Sequence, residues 1–190
     1  MKHFKPFHLL FIMVFLLTKC NSWNFYPDAD DPGLSRFTSR GYNVATNYIN
    51  DRPFKNTGHD PILFKDSTGN SVDTLRFTWE LYANDTPRAT FAYNKISFLL
   101  PVPASFNKTN LLAFDRQRFL NSVSVTLRDS LFKTITGSGS LYFVSVTESG
   151  SDPAEKYIKL SGLFNGNIGD SVTITKGRFD FEIKENTLNF

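Results

Sequence analysis

The chain has a single cysteine in 190 residues, Cys20, so no disulfide can form within it. Of its three histidines, His3 and His8 fall in the first eight residues, and from residue 20 onward only His59 remains. A zinc site built from His and Cys is thereby excluded beyond Cys20 itself. A Ser-His-Asp triad would have to use His59 in the loop Gly58-His59-Asp60-Pro61. There is no Gly-x-Ser-x-Gly elbow, and Gly137-Ser138-Gly139-Ser140 lacks the lysine and helix of a phosphate loop. Long apolar runs are missing too: Leu9 to Leu17 has nine residues, against the roughly 20 that a transmembrane helix needs.

What is present begins with that short run. Met1 to His8 carries Lys2 and Lys5, and the nine apolar residues follow, which is the charged and then hydrophobic pattern of a secretory signal peptide. The run is apolar all round, with no polar face to turn outward from a small domain. Cys20 stands at its end, where bacterial lipoproteins are cut and acylated. Leu16-Leu17-Thr18-Lys19-Cys20 resembles that lipobox, with Lys19 in the place usually held by Gly, Ala or Ser. The pattern predicts an exported protein of the bacterial cell envelope, an outer-membrane lipoprotein held to the membrane by fatty acyl chains such as palmitate on Cys20.

Export also accounts for the charge. Residues 1–19 hold three lysines and no acid, so removing them turns 21 basic and 18 acidic residues into 18 of each. The sequence pI near 8.9 belongs to the leader, and it gives no argument for a nucleic-acid partner. Residues 20–41, rich in Asp, Pro, Ser, Asn and Gly, read as a polar tether, although Trp23, Phe25 and Tyr26 are expensive to leave in water. Residues 42–190 are enough for one domain with one core.

Within that domain the period is two. Leu75, Phe77, Trp79 and Leu81 alternate with Arg76, Thr78, Glu80 and Tyr82, as a half-buried strand requires. Phe91 to Leu100 continues the pattern beyond Asn84-Asp85-Thr86-Pro87-Arg88, a turn whose proline prevents a helical bridge, so the two segments form an antiparallel hairpin. Lys65 to Asn70 reads as another turn. Ala104 to Leu120 is a short helix or an irregular covering loop. Val123, Val125 and Leu127 alternate, Leu141 and Phe143 oppose Tyr142, Val144 and Val146, and Ile158, Leu160, Gly162 and Phe164 alternate again. Asn165-Gly166 carries the signal of a type I′ hairpin turn. In the return strand the apolar set shifts from even numbers, Val172 and Ile174, to odd ones, Phe179 and Phe181, which predicts a β-bulge near Gly177. About eight to ten strands with short turns make a mainly β protein, an antiparallel β-sandwich or open barrel, with a closed lipocalin-like barrel as the alternative.

Two segments carry a family likeness. Tyr48-Ile49-Asn50-Asp51-Arg52-Pro53-Phe54 and, with Gly139-Ser140-Leu141-Tyr142-Phe143, Val172-Thr173-Ile174-Thr175-Lys176-Gly177-Arg178-Phe179-Asp180 resemble small Bacteroidota lipoproteins. Domains of that family begin with a Tyr-x-Asn-Gly-Lys-Pro-Trp type segment and close on an Ile-Thr-x-Gly-x-Phe-Asp strand. Asp51 here replaces Gly and Phe54 replaces Trp. The resemblance implies an envelope-exposed β domain and acylation of Cys20, and it brings no catalytic residues.

The remaining candidates for chemistry are few. Glu80, Asp129, Glu148, Asp180 and Glu182 are the carboxylates from which a small surface hydrolase would draw its pair. Asp28-Ala29-Asp30-Asp31 and the set Asp66, Asn70 and Asp73 are oxygen clusters of the type calcium takes, without EF-hand spacing. Asn84-Asp85-Thr86 and Asn107-Lys108-Thr109 match the glycosylation sequon, which carries no meaning behind a bacterial leader. Four of the 20 phenylalanines lie in the leader and most of the rest belong to the core, since Phe has no polar handle. Tyr42, Tyr48, Tyr82, Tyr93, Tyr142 and Tyr157 are the better exposed platforms. The reading that follows is a binding or structural module without cofactor, metal or recognisable catalytic machinery, with a glycan or another envelope protein as partner. Its alternatives are a carrier with a Phe-lined cavity and the carboxylate hydrolase.

Overall fold

The computed structural model describes residues 27–57, 60–67, 71–83, 93–129, 131–150, 156–188 and 190. The leader, Cys20, His59, the turn at Asn84 to Arg88 and the aromatic residues Trp23, Phe25 and Tyr26 lie outside the described residues. Among those described there are ten strands: β1 (Val44–Ile49), β2 (Arg52–Thr57), β3 (Ile62–Asp66), β4 (Val72–Glu80), β5 (Tyr82–Ala83), β6 (Tyr93–Pro103), β7 (Arg118–Asp129), β8 (Thr134–Ser149), β9 (Tyr157–Ile168) and β10 (Val172–Lys184). One short helix, α1 (Lys108–Leu112), joins β6 to β7, and a 3₁₀ turn over Glu185–Thr187 follows β10.

The strands form one antiparallel sheet in the order β3-β4-β6-β7-β8-β9-β10-β1-β2-β5. Both ends of that order meet the same stretch of chain, because β5 continues β4 after Leu81 while β3 pairs with β4 itself. The sheet therefore curls until β2 touches β5 through Phe54 opposite Ala83 and Lys55 opposite Tyr82, with the Asn56 side chain donating to the Glu80 carbonyl at 3.1 Å. This is the open-barrel form of the expected mainly β fold. Its seam is joined between β2 and β5 and parted where β3 faces the last residues of β10.

Alternation decides what fills it. Leu75 lies opposite Leu100 and Trp79 opposite Ile96 in the β4–β6 hairpin, and all four are buried. Trp79 stacks on Phe98 at 5.3 Å between ring centroids and meets Phe77 at 5.0 Å and Phe164 at 5.3 Å. Phe77 in turn meets Phe179 at 5.2 Å and Phe181 at 5.8 Å. Aromatic rings from four strands thus interlock in the place where a carrier would hold its ligand, and each buried ring contributes roughly 1.5–3 kcal/mol of transfer free energy. The space of a Phe-lined cavity is taken by the phenylalanines themselves.

The bulge in β10 is present. The β9–β10 register shifts between Ile174 and Gly177, with Lys176 at φ 49°, and the β1–β10 register shifts opposite the same residues. Other details differ from the sequence reading. Asn165 and Gly166 are not a turn; they lie within β9, and the hairpin turns at Gly169 to Ser171, where Gly169 has φ 57°. The turn type expected at Asn165-Gly166 is made instead by Asn50-Asp51, both at positive φ (47° and 62°), and the Asn50 side chain ties it to Thr173 and Ser171. Gly137 to Ser140 lie inside β8 rather than between strands. A Cβ on Gly137 would stand 2.1 Å from the Asn167 carbonyl, so the glycine is there for close strand approach. Val146 faces inward with Leu141 and Phe143 because a second register shift falls between Phe143 and Ser145.

Residues 104–120 do contain a helix. Asn107 caps it by accepting from the Thr109 and Asn110 amides, and the Asn110 side chain returns to the Asn107 amide, a complete capping box. Leu111 is the buried residue it contributes.

The described part of the tether is docked. Leu34 is fully buried and Ser35 nearly so, its hydroxyl 3.1 Å from that of Thr46. Further on, Asp180 accepts from the Thr38 hydroxyl, from the Arg40 amide at 3.0 Å and from the Gly41 amide at 2.7 Å. From Pro27 onward the segment is a strap laid along β1 and β10.

Candidate functional site

The outer face of β7 to β10 gathers the side chains that alternation turns away from the core. Register sets Arg118 opposite Tyr142, Tyr142 opposite Leu163 and Leu163 opposite Arg178, so the four form one row across four strands. The Arg118 guanidinium lies 4.5 Å from the centre of the Tyr142 ring, within cation–π range. In the next row Ser140 stands opposite Asn165. With Phe37 of the strap and Lys176 these residues line a groove of about 650 Å³. Leu163 and Leu120 give it an apolar floor and margin, 42% and 68% exposed where an outward strand position is ordinarily polar.

The strap closes one side of the groove by charge. Arg178, nearly buried, pairs with Asp28 at 2.5 Å and with Asp31, and also donates to the Ser35 carbonyl at 3.1 Å. Lys176, at the β10 bulge, pairs with Asp31 at 2.5 Å. The Asp28 carboxyl is held below the usual carboxylate range, chiefly by the Asp30 amide and then by Arg178. Asp31 is lowered by Lys176 and Arg178, and Lys176 is raised by Asp31. Two cations of the groove are thus neutralised from the strap, and the charge Arg118 presents is met by the Tyr142 ring.

A second hollow, of about 540 Å³, lies at the parted seam between Asp60 to Phe64 on one side and Glu182 to Lys184 on the other. Asn43, at φ 52°, spans its upper end: its side-chain oxygen accepts from the Glu182 amide at 2.8 Å and its amide nitrogen donates to Asp60 at 3.1 Å. Tyr157 forms part of the wall, with the Lys184 ammonium 5.9 Å from its ring centre.

The residues singled out by sequence divide accordingly. Tyr142 and Tyr157 line the two hollows. Tyr48 donates to the Pro32 carbonyl at 2.8 Å, Tyr82 to Glu80 at 2.5 Å, and Tyr42 accepts from Arg40 at 3.3 Å, while Tyr93 packs against the core. The five carboxylates are not brought together as a pair flanking one cleft. Glu80 is engaged by Tyr82, Asp129 caps the turn after β7, Glu148 pairs with Lys108 at 2.9 Å, Asp180 holds the strap and Glu182 accepts from Ser149 at 3.0 Å. Of the calcium candidates, Asp28 and Asp31 are taken by Arg178 and Lys176, Asp66 by Arg76 at 2.9 Å and Asp73 by Lys65 at 3.6 Å, and Asn70 lies outside the described residues. Among the described residues no group of three or more His, Cys, Asp or Glu is placed to hold a metal ion. The sequon residue Asn107 is the helix cap described above.

No family model, curated protein or solved structure matches the chain. The groove is therefore read from its own chemistry. Phe37, Arg118 and Leu163 are members that sequence reading does not single out; Leu120 reads as the end of a covering segment and Asn165 as a turn residue. For Leu163 the signal was available: with Leu160, Gly162 and Phe164 inward, Leu163 has to be an apolar side chain facing out.

Proposed function

We propose that the chain is an exported bacterial envelope lipoprotein, anchored through acylated Cys20, whose barrel is a binding module for envelope glycans. The leader pattern, the lone cysteine at its end and the likeness to Bacteroidota lipoproteins support the address; Lys19 is the departure from the usual cleavage site. The observation that carries the binding reading is the row Arg118, Tyr142 and Leu163 beside Ser140 and Asn165 on the outside of a barrel whose inside is filled. A sugar ring presents an apolar CH face and a rim of hydroxyls. The exposed leucines Leu163 and Leu120 match the CH face, and the Arg118 guanidinium laid over Tyr142, with the Asn165 amide, matches the hydroxyls. The packed interior favours this reading over the carrier, and the engagement of all five carboxylates favours it over the hydrolase.

The binding half is tested on an array of neutral and acidic oligosaccharides of the bacterial envelope, probed with the domain and with Tyr142→Ala. Binding of one glycan class by the wild type, lost in the variant, supports the reading; equal signals from both proteins sink it. The anchor is tested by the mass of the mature N-terminus, expected to carry acyl chains on Cys20. A Cys20→Ala protein that is still cut at the same site and stays in the membrane would contradict it.

A further inference from the structure

The seam between β3 and β10 is the place that β1 leaves vacant. β1 is six residues long and pairs with both β2 and β10, but it starts only at Val44, opposite Thr57 on one side and Asp180 on the other. β10 runs on for four residues to Lys184 with β9 alone beside it, and β3 pairs with β4 alone. Before Val44 the chain leaves the sheet through two residues in the left-handed region, Asn43 and Gly41, with φ 52° and 79°. The result is a slot with a strand edge on each side, about 13 Å long for four residues at strand rise.

The hydrogen-bonding groups on the β10 edge can be assigned. The Glu185 amide bonds the Lys156 carbonyl on the β9 side, and the Glu182 amide bonds Asn43 on the opposite side. Alternation along the strand then turns the amide and carbonyl of both Glu182 and Lys184 toward the slot. Two of these four groups are met by side chains: the Glu182 amide by Asn43 and the Lys184 carbonyl by the Thr187 hydroxyl at 2.7 Å. The Glu182 carbonyl and the Lys184 amide, between them, have no partner among the described residues. An incoming strand meets that acceptor and donor with residues two apart. Ile62 on the β3 side is 52% exposed and offers an apolar contact to the same strand.

We propose that this slot binds an extended polypeptide segment of a partner protein by strand addition, in line with β1 and antiparallel to β10. A strand entering there needs both of its own edges free. Every described strand of this chain already has at least one edge paired, so no described strand of a second folded copy can supply it. The occupant proposed is a free stretch of another protein, with alternate apolar residues turned toward the buried Leu63 and Ile183. This site is independent of the Tyr142 groove, and it stands or falls separately from glycan binding.

The test uses a displayed library of random linear peptides, selected on the whole mature protein, with Lys184→Pro as the decisive variant. Lys184 has φ −64° and ψ 131°, which proline adopts without strain, and its amide faces the slot, so the substitution removes the open donor and costs no bond to β9. Unchanged thermal unfolding confirms the fold of the variant, and Lys184→Ala controls for loss of the ammonium group. The expected result is a set of enriched peptides whose affinity falls about tenfold or more on Lys184→Pro and hardly at all on Lys184→Ala. Methylating alternate amides of such a peptide removes its binding as well. Failure to enrich any peptide, or peptides that bind the wild type and Lys184→Pro equally, overturns the proposal.

Discussion

Arg178 in β10 and Asp28 in the strap are 150 positions apart in the chain and 2.5 Å apart in space. Asp31 joins the same guanidinium, so one nearly buried side chain fastens the segment that precedes the barrel. Arg178→Met leaves both carboxylates without that partner and is expected to lower the unfolding temperature and expose the amides of Asp28 and Leu34 to hydrogen exchange. Arg178→Lys restores little of this, because one ammonium cannot reproduce a fork that reaches Asp28, Asp31 and the Ser35 carbonyl together. Exchange mass spectrometry on the two variants checks it.

The same carboxylates set an acid limit. With their folded pKa values below the ordinary carboxylate value, the unfolded chain binds more protons than the folded one in acid. The contribution of Asp28 and Asp31 is present above the ordinary value and is lost as pH falls below about 4. Lys176, raised by Asp31, acts in the opposite sense: its share is present through neutral pH and is lost only in strong alkali, as pH rises through its raised value. Urea midpoints measured down the acid range fall in the wild type, and fall less steeply in Arg178→Met.

The filled interior makes a prediction about ligands as well as stability. Trp79 contacts Phe77, Phe98 and Phe164 and is 1% exposed. Trp79→Ala is expected to cost about 3–5 kcal/mol, a buried aromatic ring lost with its cavity. The wild-type protein is expected to take up no fluorescent fatty acid into its core. Denaturant titration and probe fluorescence read the two effects.

Gly177 tests the bulge. A Cβ there would lie 2.4 Å from the Phe164 ring and 2.5 Å from the Phe164 carbonyl oxygen. Gly177→Ala is expected to destabilise by about 1–3 kcal/mol through overpacking, whereas Gly169→Asn, at a turn with open space around it, costs much less. Equal costs at the two glycines would mean that the β9–β10 register is not the one described.

The contrast between those glycines marks how far the sequence could be read. Period-two alternation made β4, β6 and the bulge in β10 legible, because burial of one face of a strand is a local property. The Asn165-Gly166 pair misled because its glycine lies across from Gly139, inside paired strands, and the positive-φ turn it imitates is made by Asn50-Asp51. Docking of the strap depends on charges 150 positions apart, and the curl of the sheet depends on two residue pairs at β5. Neither leaves a local trace. Tyr142 was recognisable as an outward aromatic, but its neighbours Arg118 and Leu163 come from other strands, and register alone brings them beside it.

That row is where the account is most directly tested. Amide chemical shifts of the labelled domain, followed during titration with envelope oligosaccharides, are predicted to move at Ser140 to Tyr142, at Leu163 to Asn165 and at Arg118, and to stay fixed in the core around Trp79 and Phe98. Shifts confined to other surfaces, or no shift with any glycan while the fold is intact, would contradict a glycan-binding role for this face.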